Sequence, residues 1–320
     1  MHTPKFTLIL VSVAAALFIA FRMIGNDYLF FAGYTVLQYV VIATAWNILG
    51  GYCGYVNFGS AGFFAVGVYS TVFFYNIGQQ FDFQLPIPVL MVIGGLMAGL
   101  LGLGMGYLTL RLRGVFFAIA TLALLVVIET FVVNWSFVGG SRGAYIIPPS
   151  EIPILGAFIQ YLFLLMLILV VLSLVAARTI ERSSLGVGFA TIRDDELAAE
   201  ASGVPTLRLK LIATVVSGAL FGMAGAPFPY YIGYVEPGSA FNLAYSVNAI
   251  AMPMIGGTMT WVGPMVGALL LSTLQQVITV TISSAANLLI TGLLLIGFVI
   301  LAPKGLVGLW QSLTAGRKQT

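Results

Sequence analysis

Residues 154–210 read ILGAFIQYLFLLMLILVVLSLVAARTIERSSLGVGFATIRDDELAAEASGVPTLRLK, and the two ends of this stretch call for different solvents. Residues 154–176 carry no charge, and these 23 positions, at 1.5 Å per helical residue, are enough to cross a hydrocarbon core about 30 Å thick. From Arg178 to Lys210 the chain then carries ten of its 23 charged side chains (13 basic, 10 acidic). An apolar helix followed by a solvated segment points to a membrane body that offers this segment to something outside the bilayer.

The whole chain fits that reading. Its 320 residues are 60% hydrophobic and 7% charged, with mean hydropathy +1.07, too little polar surface to cover a soluble globule of that size. Ten candidate spans follow, at 6–24, 29–49, 58–76, 86–108, 114–135, 154–176, 209–231, 240–256, 262–282 and 285–302. The expected fold is all-α, a polytopic helical bundle of about ten membrane segments. It forms one transmembrane domain over 1–320, with the charged segment at about 178–210. Lys5 and the apolar run after it can imitate a cleavable leader, but a retained first span is expected in a polytopic chain.

With the N-terminus inside, the inner loops and tails hold Lys5, Arg111, Arg113, Arg178, Arg182, Arg193, Arg208, Lys210, Lys304, Arg317 and Lys318, and the outer loops hold Arg22 and Arg142. This positive-inside bias places both termini and the charged segment in the cytoplasm. The pI near 9.0 then reflects topology and not nucleic-acid binding. Cys53 is alone and His2 lies at the chain start, which leaves no disulfide framework and no Cys/His metal site. No Gly-x-x-x-x-Gly-Lys-Ser/Thr loop occurs, so ATP-driven work requires another subunit.

Small residues recur every fourth position at Gly94, Ala98, Gly102 and Gly106, and again at Gly218, Gly222 and Ala226. Such stripes let helix backbones approach where lipid removes the hydrophobic drive, and packing within the subunit is expected here. Six glycines between Gly50 and Gly67 interrupt helical continuity. Two readings stand: a broken helix lining a wet path, with Asn57 and Ser60 as pore candidates, or an inner loop ending the second span. Glu129 lies inside the fifth span, where an ionisable group marks either a pathway or a buried partner, and Thr121 lies two turns before it. On the outer side, Val138–Ala144 is turn-rich, and Arg142 is its candidate contact for an external solute donor.

Within the charged segment a helix is expected over about 192–202. Asp194, Asp195 and Glu196 suit its first turn, Gly203 its end, and Pro205 blocks continuation. At 100° per residue Arg193, Glu196 and Glu200 share a face, while Ala198, Ala201 and Ser202 form a smooth one. So short a helix is marginal alone and needs a surface to dock on, either another subunit or the underside of its own membrane domain.

The chain resembles the membrane permease subunits of branched-chain amino acid ABC importers, the Liv-type family. The resemblance runs from about Tyr34 to Gly308 and rests on GYCGYVNFGSAGFF (51–64), RLRGVFFA (111–118) with TLA (121–123), and GGSRG (139–143). It continues through IRDDELAAEASG (192–203), IGG (255–257) with Gly263-Pro264 and Gly267-Ala268, and PKGL (303–306). It implies a second permease subunit, two cytoplasmic ATPases that bind ATP and Mg, and a soluble solute-binding protein outside, with no cofactor held by this chain.

The resemblance further implies that residues 192–203 form a coupling helix seated in a groove of the ATPase, with Arg193, Asp194, Asp195, Glu196, Ala198, Glu200, Ala201 and Gly203 carrying that role. Val187 and Ala190 stand where such permeases often carry basic residues, Ser60 where a histidine is common and Met259 where a glycine is. The expected function is passage of a small polar solute, amino acids first, across the inner membrane. A proton-coupled transporter working through Glu129 and a non-transporting scaffold are the competing expectations.

Overall fold

Eight helices among the described residues are long and apolar enough to cross a membrane. They are seen in a computed structural model that describes residues 3–148, 151–152, 156–281, 292–293, 296–297 and 305–308. In chain order the spanning helices begin with α1 (Thr3–Ile24), α2 (Asp27–Asn47, extended by a wide turn Ile48–Tyr52), α3 (Ser60–Phe81), α4 (Ile87–Thr109) and α5 (Val115–Val133). After α6 (Phe158–Glu181) come two short helices of the charged segment, α7 (Ser184–Asp194) and α8 (Glu196–Ala201), and then α9 (Thr206–Gly225). The described bundle closes with α10 (Phe228–Ile232), α11 (Pro237–Ala240), α12 (Leu243–Gly256) and α13 (Val262–Thr281).

Of the ten expected spans, eight are present among the described residues. Residues 240–256 give α12, whose 14 residues rise about 21 Å, short of a hydrocarbon core. Pro253 inside it removes one backbone donor. The expected tenth span, 285–302, lies almost wholly outside the described residues, as do His2, Lys304, Arg317 and Lys318.

The middle of the bundle is α2, apolar on every side and buried along its second half, with α6, α9, α12 and α13 packed around it. The two small-residue stripes meet each other. A Cβ on Gly94 would stand 3.1 Å from the Gly222 carbonyl and 3.2 Å from Ala226 Cβ, and one on Gly218 would stand 2.9 Å from the Ala98 carbonyl. Backbone therefore lies on backbone along α4 and α9, and the stripes serve packing inside the subunit.

The connections collect at two ends. At one end lie the 53–59 linker between α2 and α3, the Leu110–Gly114 turn, α7, α8 and the start of α9; we call it the charged end. At the other, the loop after α5 forms β1 (Ala144–Tyr145), and the loop after α10 forms β4 (Tyr234–Val235), paired antiparallel. A second small pair, β2 (Glu151–Ile152) with β3 (Gly156–Ala157), precedes α6.

Candidate functional site

Residues 192–203 do not form one helix. Asp195 is extended (φ −158°, ψ 107°) and breaks the segment into α7 and α8. Its carboxylate accepts from the N–H groups of Leu197 (2.9 Å) and Ala198 (3.1 Å), so Asp195 is the N-cap of α8 and not a residue of its first turn. Arg193 and Asp194 belong instead to the end of α7, bonded to each other at 3.3 Å. Gly203 follows α8 with φ +83°, the left-handed position expected after a helix end.

Arg193, Glu196 and Glu200 consequently do not share one outward face. Glu196 turns inward, where Lys210 Nζ on α9 donates to it at 2.7 Å and Tyr55 of the 53–59 linker donates its hydroxyl. The same ammonium donates to the Leu110 carbonyl (2.9 Å) and to the Tyr55 hydroxyl (3.1 Å), so all three of its protons are placed. Arg113 reaches Glu196 at 3.5 Å and Glu200 at 3.2 Å, and Glu200 also accepts from Thr206 at 2.9 Å. Burial alone raises the Glu196 pKa. The hydrogen bonds from Lys210 and Tyr55, with the charges of Lys210 and Arg113, outweigh it and hold the carboxyl below its usual range. The Tyr55 hydroxyl is pushed up by burial and by its bond to Glu196.

This network ties α8 to the α2–α3 linker, the α4–α5 turn and the base of α9. Its key members, Tyr55, Arg113 and Lys210, were not singled out as site residues from sequence; the placement of Arg113 and Lys210 beside the acidic segment on the inner side was the available signal. Ala199 is buried beneath α8, while Leu197 (63% exposed), Ala198, Ala201 and Ser202 face outward. Val187 on α7 is equally open at 66%.

A cavity of about 690 Å³ opens beside this seat, lined by Tyr55, Phe58 and Val115 on the membrane side and Ile192, Arg193 and Asp195 on the other. Arg193 lies directly against the linker: its Nη1 donates to the Gly51 carbonyl at 3.5 Å, and a Cβ on Gly54 would stand 2.9 Å from its Cγ. Cys53, buried in this linker, has its thiol pushed up to about 12, by burial first and by Glu196 in addition, against the lowering effect of Lys210 and Arg193.

The residues expected along the pore divide into two groups. Asn57, Ser60 and Thr121 come together at the linker. The Asn57 side chain accepts from Gly59 N–H at 2.8 Å, and the Asn57 backbone carbonyl accepts from the Trp46 indole N–H at 3.0 Å. Thr121 donates to the Ala118 carbonyl at 2.8 Å and accepts from Phe58 N–H at 3.3 Å. Ser60 meets Ser246 of α12 at 3.1 Å, and Ser246 caps the start of α3 by accepting from Ala61 N–H at 2.8 Å. Trp46, Asn57, Thr121 and Ser246 thus take up backbone groups of residues 57–61, and Ser246 is a member that sequence did not single out.

Glu129 lies apart from these three, farther along α5 toward the other end. Arg142 is exposed at that end, in a tight turn (Gly140–Arg142) whose last carbonyl accepts from the Tyr234 hydroxyl at 2.7 Å.

Comparison with known proteins gives the family of the chain. A family profile described as branched-chain amino acid transport system / permease component matches residues 28–299. The chain is 29% identical over 297 residues to the high-affinity branched-chain amino acid transport system permease protein LivM of Escherichia coli (strain K12), covering 84% of this chain and 67% of that protein. It is 23% identical over 243 residues to the probable branched-chain amino acid transport permease protein LivH of Methanocaldococcus jannaschii, covering 72% and 76% of the two chains. Over 135 residues, 41% of this chain and 39% of the other, it is 30% identical to the autoinducer 2 import system permease protein LsrC of Enterobacter sp. (strain 638). No solved structure matches the chain. With a family match over most of its length and a helical bundle to carry it, this chain belongs to the permease-component family of branched-chain amino acid transport systems.

Proposed function

We propose that the chain is the membrane permease of an ATP-driven importer that passes small amino acids, branched-chain ones first, across the inner membrane. On this reading the charged end and both termini face the cytoplasm, and a second permease subunit completes the path. Two ATPases carrying ATP and Mg bind below, and a solute-binding protein docks at the Arg142 end. The chain itself breaks no bonds. The names of the LivM and LivH relatives support the solute class, whereas the LsrC name attaches a different solute to a match over only 41% of this chain.

The seat of α8 is the observation that carries this reading. Its inward face is locked by Glu196 to three membrane-linked elements, while its outward face leaves Leu197 and Ala198 uncovered. A helix gripped on one side and bare on the other can pass a push from a cytoplasmic partner into α4, α5 and α9. Closure of the ATPases would then bias the bundle between two packed states. Shape dominates the contact, since Glu196 and Glu200 are occupied within the chain and Val187 and Ala190 carry no charge.

The test places charge on the outward face. Leu197→Lys with Ala201→Lys should remove copurifying Walker-motif ATPases and ATP-dependent amino acid uptake while leaving the folded chain in the membrane. Retention of both would defeat the coupling assignment. Uptake by the purified chain alone under a pH gradient, abolished by Glu129→Gln, would instead establish proton-coupled transport.

A further inference from the structure

The seam between α3 and α5 leads from the linker toward the Arg142 end. A Cβ on Gly62 would touch Leu125 at 3.3 Å and Ile128 at 3.8 Å, so Gly62 faces α5. Tyr69 lies two helical turns farther on, on the same face of α3, and Glu129 follows Leu125 by one turn on the α3-facing stripe of α5. Asn76, another two turns along α3, bonds the Phe137 carbonyl beyond the end of α5 at 2.7 Å, so the seam is continuous.

At its outer part this seam is closed over by α11, which touches both α3 and α5, with Phe241 stacked on the Tyr69 ring at 6.0 Å. Tyr69 is 5% exposed, and its hydroxyl is buried with no hydrogen-bond partner among the described residues. At that outer part of the seam stand Glu236, which is exposed, and Tyr234 and Glu129, which are half-buried. Tyr234 is committed to the Arg142 carbonyl, and one side-chain bond of Glu236 caps α11. Neither Glu129 nor Glu236 has a salt bridge among the described residues.

A buried hydroxyl without a partner and a half-buried carboxylate without a salt bridge among the described residues are a costly grouping in a membrane bundle unless something cationic visits it, and Glu236 adds an exposed carboxylate at its outer mouth. A primary ammonium presents three donors, and Tyr69, Glu129 and Glu236 present three acceptors. We propose that these three side chains form a station for the amino group of the transported solute, on the α3–α5 seam at the outer end of the permease. The inference rests on the amino acid import reading and deepens it. A zwitterionic solute would pause here by its ammonium, held by partly used acceptors that release it again.

The experiment uses the complete importer in proteoliposomes, with its binding protein and ATPases, and follows ATP-dependent leucine uptake. Glu129→Gln with Glu236→Gln should lower uptake at least tenfold, and Tyr69→Phe severalfold, while all variants assemble and hydrolyse ATP. Tyr69→Phe should also leave thermal stability unchanged or raised, because the hydroxyl it removes bonds nothing among the described residues; a structural role would lower both. Uptake within twofold of wild type in the double variant would overturn the station and leave the importer reading standing. Leucine uptake that requires external sodium or potassium, with the variants losing only that requirement, would make the site one for an inorganic cation and also overturn it. Should the intact importer carry only a solute without an amino group, the station falls together with the amino acid reading, and the permease assignment remains.

Discussion

Lys210 Nζ stands 2.7 Å from Glu196 Oε1, with the two side chains 4% and 13% exposed. The pair joins the base of a membrane helix to the short helix expected to meet a partner. A charge this well enclosed is held by its full set of partners, and removing one strands the other. Lys210→Met should therefore destabilise the chain by about 3 kcal/mol, measured by thermal unfolding in detergent. Adding Glu196→Gln should recover part of that loss. Simple additivity of the two substitutions would show that they do not act as a pair.

The depressed pKa of Glu196 fixes a pH dependence. Its contribution is fully present above the unfolded carboxyl value, about 4.3, and is lost as pH falls through the lower folded value. Protection of the Leu197–Ala201 amides against hydrogen exchange should thus hold steady from about pH 5 to pH 8 once corrected for intrinsic rates. It should fall below about pH 4. Glu196→Gln should flatten that acid limb, and an unchanged limb in this variant would assign it to another group.

Two glycines of α4 should respond in opposite ways to alanine. Gly94 faces backbone of α9, so Gly94→Ala forces α4 and α9 apart and should cost about 1–3 kcal/mol. Gly104 has nothing near its missing Cβ, and Gly104→Ala should be neutral or stabilise by about 0.5–1 kcal/mol through helix propensity. Unfolding midpoints of the two variants give the comparison. Equal effects would mean that the α4–α9 contact is not backbone on backbone.

Cys53 should be nearly inert to alkylation in the native permease. With its thiol pushed up to about 12, the thiolate fraction at pH 8 is about a thousandfold below that of a free cysteine. Maleimide labelling followed by intact mass should show modification after unfolding and almost none before it. Rapid native labelling would place the linker in water.

Much of the bundle was legible because membrane spans are written in local composition. The run 154–176 becomes α6 within a few residues, and the stripes of α4 and α9 pack inside the subunit as expected. Residues 240–256 were misjudged as a full span because apolar content alone does not show where Asn242 caps and Gly257 stops a short helix. The single helix expected over 192–202 failed at Asp195, whose side chain prefers to bond the next turn's N–H groups and so starts a new helix.

The sequence by itself determined that the chain is a membrane bundle with one solvated segment, since hydropathy and charge follow from each residue's own transfer energy. Only the tertiary structure decided that Glu196 faces inward to Lys210 and Tyr55 and that Ser60 meets Ser246 across 186 positions. A buried polar group must find a partner, but which one it finds depends on how distant helices pack, and no local pattern carries that information.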